Sequence, residues 1–238
     1  MSLPIRFRVK EFKPINIENG YLIDGFPSAG FTSAIATESL IHTSQFDLAG
    51  IIDSDSFPAV SLVKNGMPNY PTRIFVNNSL NVAVFSSYLS LQEMTHKPMA
   101  RFMLSWARKH KVSYIISSVA VKSNQEEKII AAGSTEAARN KLKEAGIEVL
   151  EHGTIPGIPG SLLNQGMLND QNVIVVLYNS LEAGPDFKSS AQLCMAMTKL
   201  VPGAACDITT LQNEAEKAEV ALKEATEQAQ RMKEGMYG

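Results

Sequence analysis

The chain has 238 residues, is 45% hydrophobic and carries a formal charge of −2. That length suits one large α/β domain, or a domain with an appendage, with apolar material enough for a core that needs neither metal nor disulfide. The charge balance and the lack of a long basic run exclude an electrostatic nucleic-acid footprint, and no apolar run approaches the ~18 residues that cross a bilayer, so neither nucleic acid nor membrane is an expected partner.

Ile5, Phe7 and Val9 alternate with Arg6, Arg8 and Lys10. This is the pattern of a half-buried edge strand. No apolar segment of the signal-peptide kind follows these charges, so the expected location is cytoplasmic. A short strand at Tyr21–Asp24 runs into Gly25-Phe-Pro-Ser-Ala-Gly30 and a small-residue helix from Phe31 to His42. Leu48–Asp53 is a second strand, and the stretch from Ser54 to Pro71 is rich in turn formers. Thr72–Val76 and Asn81–Ser86 pair as a hairpin around Asn77-Asn78. Glu93–His110 reads as a helix in which Pro98, lacking a donor N–H, has to sit in the first turn or kink the chain. Ser113–Val121 and Ile129–Ala132 are strands. Ser134 or Thr135 caps a helix over Glu136–Ala145 that stops at Gly146. Ile147–Leu150 is a strand, Gly153–Gly160 a glycine–proline loop, and Ser161–Leu168 a short helix. Val173–Tyr178 is a buried strand, and Pro185–Leu200 a helix opened by proline, with Asp186 as the acid at its N-terminus. Such alternation predicts a mostly parallel sheet with helices on both faces, a three-layer α/β/α sandwich.

Composition changes after Pro202-Gly203, so residues 1–203 are expected to form the α/β domain and 204–238 a helical extension. Ile208, Leu211, Ala215, Ala218, Leu222, Ala225, Ala229 and Met232 follow alternating spacings of three and four, an unbroken heptad seam. The helix would be about 40 Å long at ~1.5 Å per residue. Its alanine-rich seam leaves open whether it packs on the body or projects.

Chemistry-bearing motifs are sparse. Gly25 and Gly30 bracket a strand-to-helix turn whose backbone N–H groups could hold an anion; Gly157 and Gly160 lie in a second stiff loop that could line a strand-end site. The alternative use of the first pair is a tight turn with close helix packing, and that of the second loop is a structural turn or an oligomer contact. The four histidines, His42, His96, His110 and His152, have no metal-ligand spacing, and no nucleophile elbow is present, so no metal, cofactor or catalytic residue is assigned. Cys194 and Cys206 read as buried free thiols in a reducing compartment. The last residues, Met236, Tyr237 and Gly238, combine an apolar side chain, a phenol and a carboxylate that one pocket can read.

Taken in order, Gly25-Phe-Pro-Ser-Ala-Gly30, the block from Gly153 to Leu163, Pro185-Asp-Phe-Lys-Ser-Ser-Ala191 and the terminal Met236-Tyr237-Gly238 resemble the proteasome assembly chaperone family, of the type-two kind and its archaeal homo-oligomeric branch. The resemblance implies a phosphorylase/hydrolase-like fold with no known reaction, and a homo-oligomer with projecting C-terminal helices. It also implies tails that enter pockets between α-subunits of the proteasome core ring, with the Gly238 carboxylate meeting a lysine. Two other functions compete with it: a small-molecule or nucleotide-binding enzyme that uses the glycine loops, and a scaffold whose C-terminal helix serves only self-assembly.

Overall fold

The computed structural model describes residues 5–27, 31–121, 129–180 and 185–211. Eleven strands and five α-helices lie in them, in the order β1 (Arg8–Glu11), β2 (Tyr21–Gly25), α1 (Thr32–Thr43), β3 (Asp47–Asp53), β4 (Leu62–Lys64), β5 (Met67–Asn69), β6 (Thr72–Asn77), β7 (Val82–Ser87), α2 (Glu93–Lys109), β8 (Tyr114–Val121), β9 (Ile130–Gly133), α3 (Glu136–Glu144), β10 (Glu148–Val149), α4 (Gly157–Leu168), β11 (Asn172–Asn179) and α5 (Phe187–Leu200). Nine strands form one sheet, ordered β1-β3-β6-β7-β2-β8-β11-β9-β10; β4 and β5 make a separate hairpin.

Strand periodicity sorts the core into two layers. Along β11, Val173, Val175 and Leu177 join Leu22, Phe85 and Ile115 under α2 and α4. The intervening Ile174, Val176 and Tyr178 join Ile23, Val84 and Ile116 under α1, α3 and α5. A strand whose two faces are both covered must be apolar at every position, which is why β11 reads as a continuous run. α2 presents Met99, Met103 and Trp106 to the first layer. α5 presents Leu193, Met197 and Leu200 to the second.

The expected α/β class is borne out, with helices on both faces of a large central sheet. The sheet is not mostly parallel, however. β2 runs parallel to β7 and to β8, and β8 to β11, but β1, β3, β6 and β7 are joined antiparallel, as are β9 and β11. Apolar periodicity reports which face a residue takes and is blind to strand direction. Three local readings also change. Pro98 lies inside α2, beyond the first turn; the carbonyl that its N–H would have met belongs to Met94, which is exposed. α4 begins at Gly157, so the second half of the predicted glycine–proline loop is the first helical turn, where Pro159 is tolerated. α5 begins one residue after its cap, Asp186, which accepts from the Ser189 N–H at 2.9 Å.

The cysteines are not free thiols. Cys194 and Cys206 are joined in a disulfide, their Cα atoms 6.0 Å apart. The turn after α5, with Gly203 at φ +80, carries the chain back along the helix and brings the pair within bridging range. Residues 208–211 are helical; the remainder of the expected helical extension, residues 212–238, lies outside the described residues. Among the described residues, no helix is long and apolar enough to cross a membrane.

Candidate functional site

Strands β7, β2, β8 and β11 run side by side in one direction, so their C-terminal ends share one edge, the position at which open α/β sheets hold ligands. β2, β7 and β11 turn polar at these ends, and β8 is polar at the level where β2 ends, before its own apolar close at Val119–Val121. The buried polar residues include Asp24 on β2, Ser86 and Ser87 on β7, and Ser117 and Ser118 on β8. Alternation divides them between the two faces of the sheet.

On the face under α2 and α4, the Asp24 carboxylate accepts from the Ser117 hydroxyl at 2.6 Å and from the Phe26 N–H at 3.1 Å. Burial raises its pKa from 3.8 to about 6, against the opposing pull of those two donors and of His96 on α2. His96 Nε2 donates to the Leu91 carbonyl at 3.1 Å, and its Nδ1 would lie 3.8 Å from a Cβ at Gly157. On the opposite face, the Ser33 hydroxyl of α1 lies 2.8 Å from that of Ser118 and 3.5 Å from the Tyr178 hydroxyl. Ser180, just past β11, donates to Asp186 at 2.8 Å, which ties the strand end to the cap of α5.

Asp24, next to Gly25, is within electrostatic reach of His96, which in turn approaches Gly157. The described glycines are sterically constrained. A Cβ at Gly25 would lie 2.7 Å from Thr37 Oγ1 and 2.8 Å from the Phe85 carbonyl, so Gly25 lets α1 lie close over β2 and β7. A Cβ at Gly160 would come within 1.9 Å of the Ile155 carbonyl oxygen, and Gly157 holds φ at +73, so only glycine fits this turn. Gly30 lies outside the described residues. The polar groups at the strand ends satisfy one another. The Ser117 hydroxyl donates its hydrogen bond directly to the carboxylate while His96 binds backbone, so the three are not arranged here as a nucleophile–base–acid relay. Among the described residues, no group of three or more His, Cys, Asp or Glu could hold a metal. An open groove between β1 and α2, lined by Phe7, Val9, Phe102 and Trp106 with Glu11 and Lys109, contains none of the sequence-predicted site residues.

Sequence reading passed over Asp24, Ser117 and the residues that seat the C-terminal extension. A carboxylate closing an apolar strand was the available signal for the first. Its partner is 93 residues away and no spacing rule finds it.

The extension has a defined root on the other side of the molecule. Leu211 is buried in the layer formed by α1 and α5, and Ala204, Cys206 and Ile208 pack against it. Ser44 Oγ at the end of α1 donates to the Ala205 carbonyl at 3.0 Å and accepts its N–H at 2.9 Å. Ser39 Oγ accepts the Asp207 N–H at 3.1 Å. Asp207 caps the new helix, accepting from the Thr210 N–H at 2.9 Å and from the Thr210 hydroxyl at 2.6 Å; these donors hold its carboxyl below the usual carboxylate range. Met236, Tyr237 and Gly238 lie outside the described residues.

The whole arrangement is similar to that of Pyrococcus furiosus PbaA in its monoclinic crystal form, an archaeal homologue of proteasome-assembly chaperone, at 25% identity and a TM-score of 0.82, over 96% of this chain and 95% of that one. It is similar in fold to Pyrococcus furiosus PbaB, an archaeal proteasome activator, at 23% identity and a TM-score of 0.79, over 92% and 98% of the two chains. A Thermoplasma acidophilum protein of unknown function shares the fold at 20% identity and a TM-score of 0.71, over 93% and 91%. No curated protein matches the chain. The model of the PAC2 family matches residues 22–226, bearing out the resemblance carried by the glycine–proline blocks: the chain belongs to the PAC2 family.

Proposed function

We propose that this protein is a proteasome-associated binding protein, a chaperone of assembly or an activator, and that it binds through its C-terminus rather than by catalysis. The observation that carries the reading is the similarity along nearly the full length of both chains to PbaA, a homologue of proteasome-assembly chaperone. In this reading the body is a three-layer sandwich of the phosphorylase/hydrolase-like kind, residues 204–238 form a separate helical extension, and Met236, Tyr237 and Gly238 enter pockets of the core α-ring. The cytoplasm, where proteasomes work, is the matching location. One tripeptide buries little surface and binds weakly; several copies on a homo-oligomer raise avidity by roughly 10²–10⁴ when geometry permits simultaneous engagement. Support for self-association comes from the apolar side chains left exposed around β4 and β5, Val60, Val63, Met67 and Tyr70.

The test is co-purification with proteasome α-subunits, comparing the intact chain with one ending at Gly235. Binding by the intact chain alone is the expected result. Equal binding by both removes the tail from the mechanism, and failure of both sinks the proteasome reading. A second reading, a small-molecule or nucleotide-binding enzyme working at the glycine loops, is favoured by one observation, the buried Asp24 carboxylate at the strand ends. A rise in Tm with a nucleoside or nucleotide would turn the assignment toward it.

A further inference from the structure

We propose that Cys194 and Cys206 form a reversible thiol–disulfide latch that determines whether the root of the C-terminal extension is clamped to the body. The bridge joins α5 in the core to the segment that leads into the extension, and the two sulfurs differ in the way exchange chemistry requires. Cys194 has no exposed surface, whereas Cys206 is half-buried and is the sulfur that a thiolate from outside reaches.

A dithiol reductant supplies the balance. One of its thiolates attacks Cys206 Sγ, the protein S–S bond breaks, and Cys194 leaves as a thiolate that takes up a proton. The second reductant thiol then displaces Cys206 from the mixed disulfide. The protein gains two electrons and two protons, and the reductant departs as its own disulfide. The reduced form has a seat ready: Cys194 Sγ lies 3.4 Å from the Ala36 carbonyl oxygen, an acceptor for the new S–H inside an otherwise apolar layer. Reclosure needs only a small disulfide as oxidant.

Apart from the bridge, the described part of the root is held by the two hydrogen bonds between Ser44 and Ala205, the bond from the Asp207 N–H to Ser39, the burial of Leu211, and the partly buried Ala204 and Ile208. All three hydrogen bonds are at exposed positions, where water competes for each group. Opening the bridge thus frees this segment before any core element. The consequence for presenting the tail rests on the docking reading above, but the latch does not, and its test uses no proteasome.

The full chain is treated with dithiothreitol or with oxidised glutathione, free thiols are counted by alkylation, and hydrogen exchange is followed at the amides of residues 204–211. The expected result is no alkylated thiol after oxidation and two after reduction, with root amides exchanging at least tenfold faster when reduced while β8 and β11 keep their protection. Cys206→Ser, which keeps one thiol, is expected to show the fast root exchange of the reduced form under both conditions; if that variant misfolds, the wild-type pair of measurements decides. Two free thiols after oxidation, equal root exchange in both states, or exchange rising throughout the sheet would each overturn the latch.

Discussion

The strand-end cluster and the root of the extension are both polar, yet they are built on opposite principles. Around Asp24 the carboxylate and its two hydrogen-bond donors, the Ser117 hydroxyl and the Phe26 N–H, are buried, and with the half-buried His96 they answer its charge. Around Ala205 and Asp207 the hydrogen bonds are at exposed positions, and one covalent bond fastens the segment. Buried and satisfied polar groups resist rearrangement because each exchange leaves a partner unpaired in a low-dielectric interior. Exposed ones trade partners with water at little cost. The first region is therefore scaffold, and the second is where a change of state is cheap. That contrast fits the proposed docking through the C-terminus, and it would be reversed in an enzyme with its site at the strand ends.

The largest expected effect tests whether the strand-end loops are packed shut. Gly160→Ala would set a methyl group 1.9 Å from the Ile155 carbonyl oxygen, a backbone atom that cannot swing aside. Destabilisation of about 3 kcal/mol follows from overpacking of this kind, read as a lower denaturant midpoint at unchanged m. If the variant is as stable as the wild type, the loop is loose enough to serve as a cradle and the comparison breaks in favour of the enzyme.

Next comes the charge on Asp24. Its folded pKa of about 6 stands above the ordinary value of 3.8, so the folded state binds the proton more tightly than the unfolded one. The stability this confers is complete below about pH 4 and is lost as pH rises through 6. Asp24→Asn removes the penalty of the buried charge, and the gap between 3.8 and about 6 is worth about 3 kcal/mol. The variant should be the more stable protein at pH 7 by up to that amount, with the difference shrinking toward pH 4 in paired thermal melts. A variant less stable than wild type at pH 7 would mean that the carboxylate is required by its donors, which moves the strand ends from scaffold toward function.

The two regions also differ in how far the sequence exposes them. The strands and helices were legible because apolar residues recur at two or at three and four, and that periodicity marks a face whatever the partner. The capping by Thr135 was legible because a cap bonds within three residues; Asp186, expected as an acid inside the first turn, is instead the cap of α5. The β6–β7 hairpin was legible from its turn, but the direction of the remaining strands was not, so the expected sheet was mostly parallel while β1, β3 and β6, and β9 and β11, pair antiparallel. Ser117 meets Asp24 only because β2 and β8 are neighbours in the sheet. The disulfide was hidden differently. Cys194 sits among Leu193, Met197 and Leu200 and reads as one more apolar helix residue, while the turn at Gly203 that returns Cys206 to it has no signature beyond Pro202-Gly203 itself.

The smallest effect sharpens the picture of the root. Asp207 bonds both the N–H and the hydroxyl of Thr210, and these bonds hold its carboxyl below the usual range. A group whose folded pKa is depressed contributes stability above its unfolded pKa and loses it as pH falls through the folded value. Asp207→Ala should therefore speed exchange of the Thr210 amide several-fold at pH 7 and leave Tm almost unchanged, because the group is on the surface and the bridge still clamps the segment. The same substitution after reduction removes the cap from a root without its covalent tie, and there the effect on exchange should be larger than the sum of the two separate changes. Strict additivity would mean that cap and bridge act on different openings of the chain, and the root would then be two small clasps rather than one hinge.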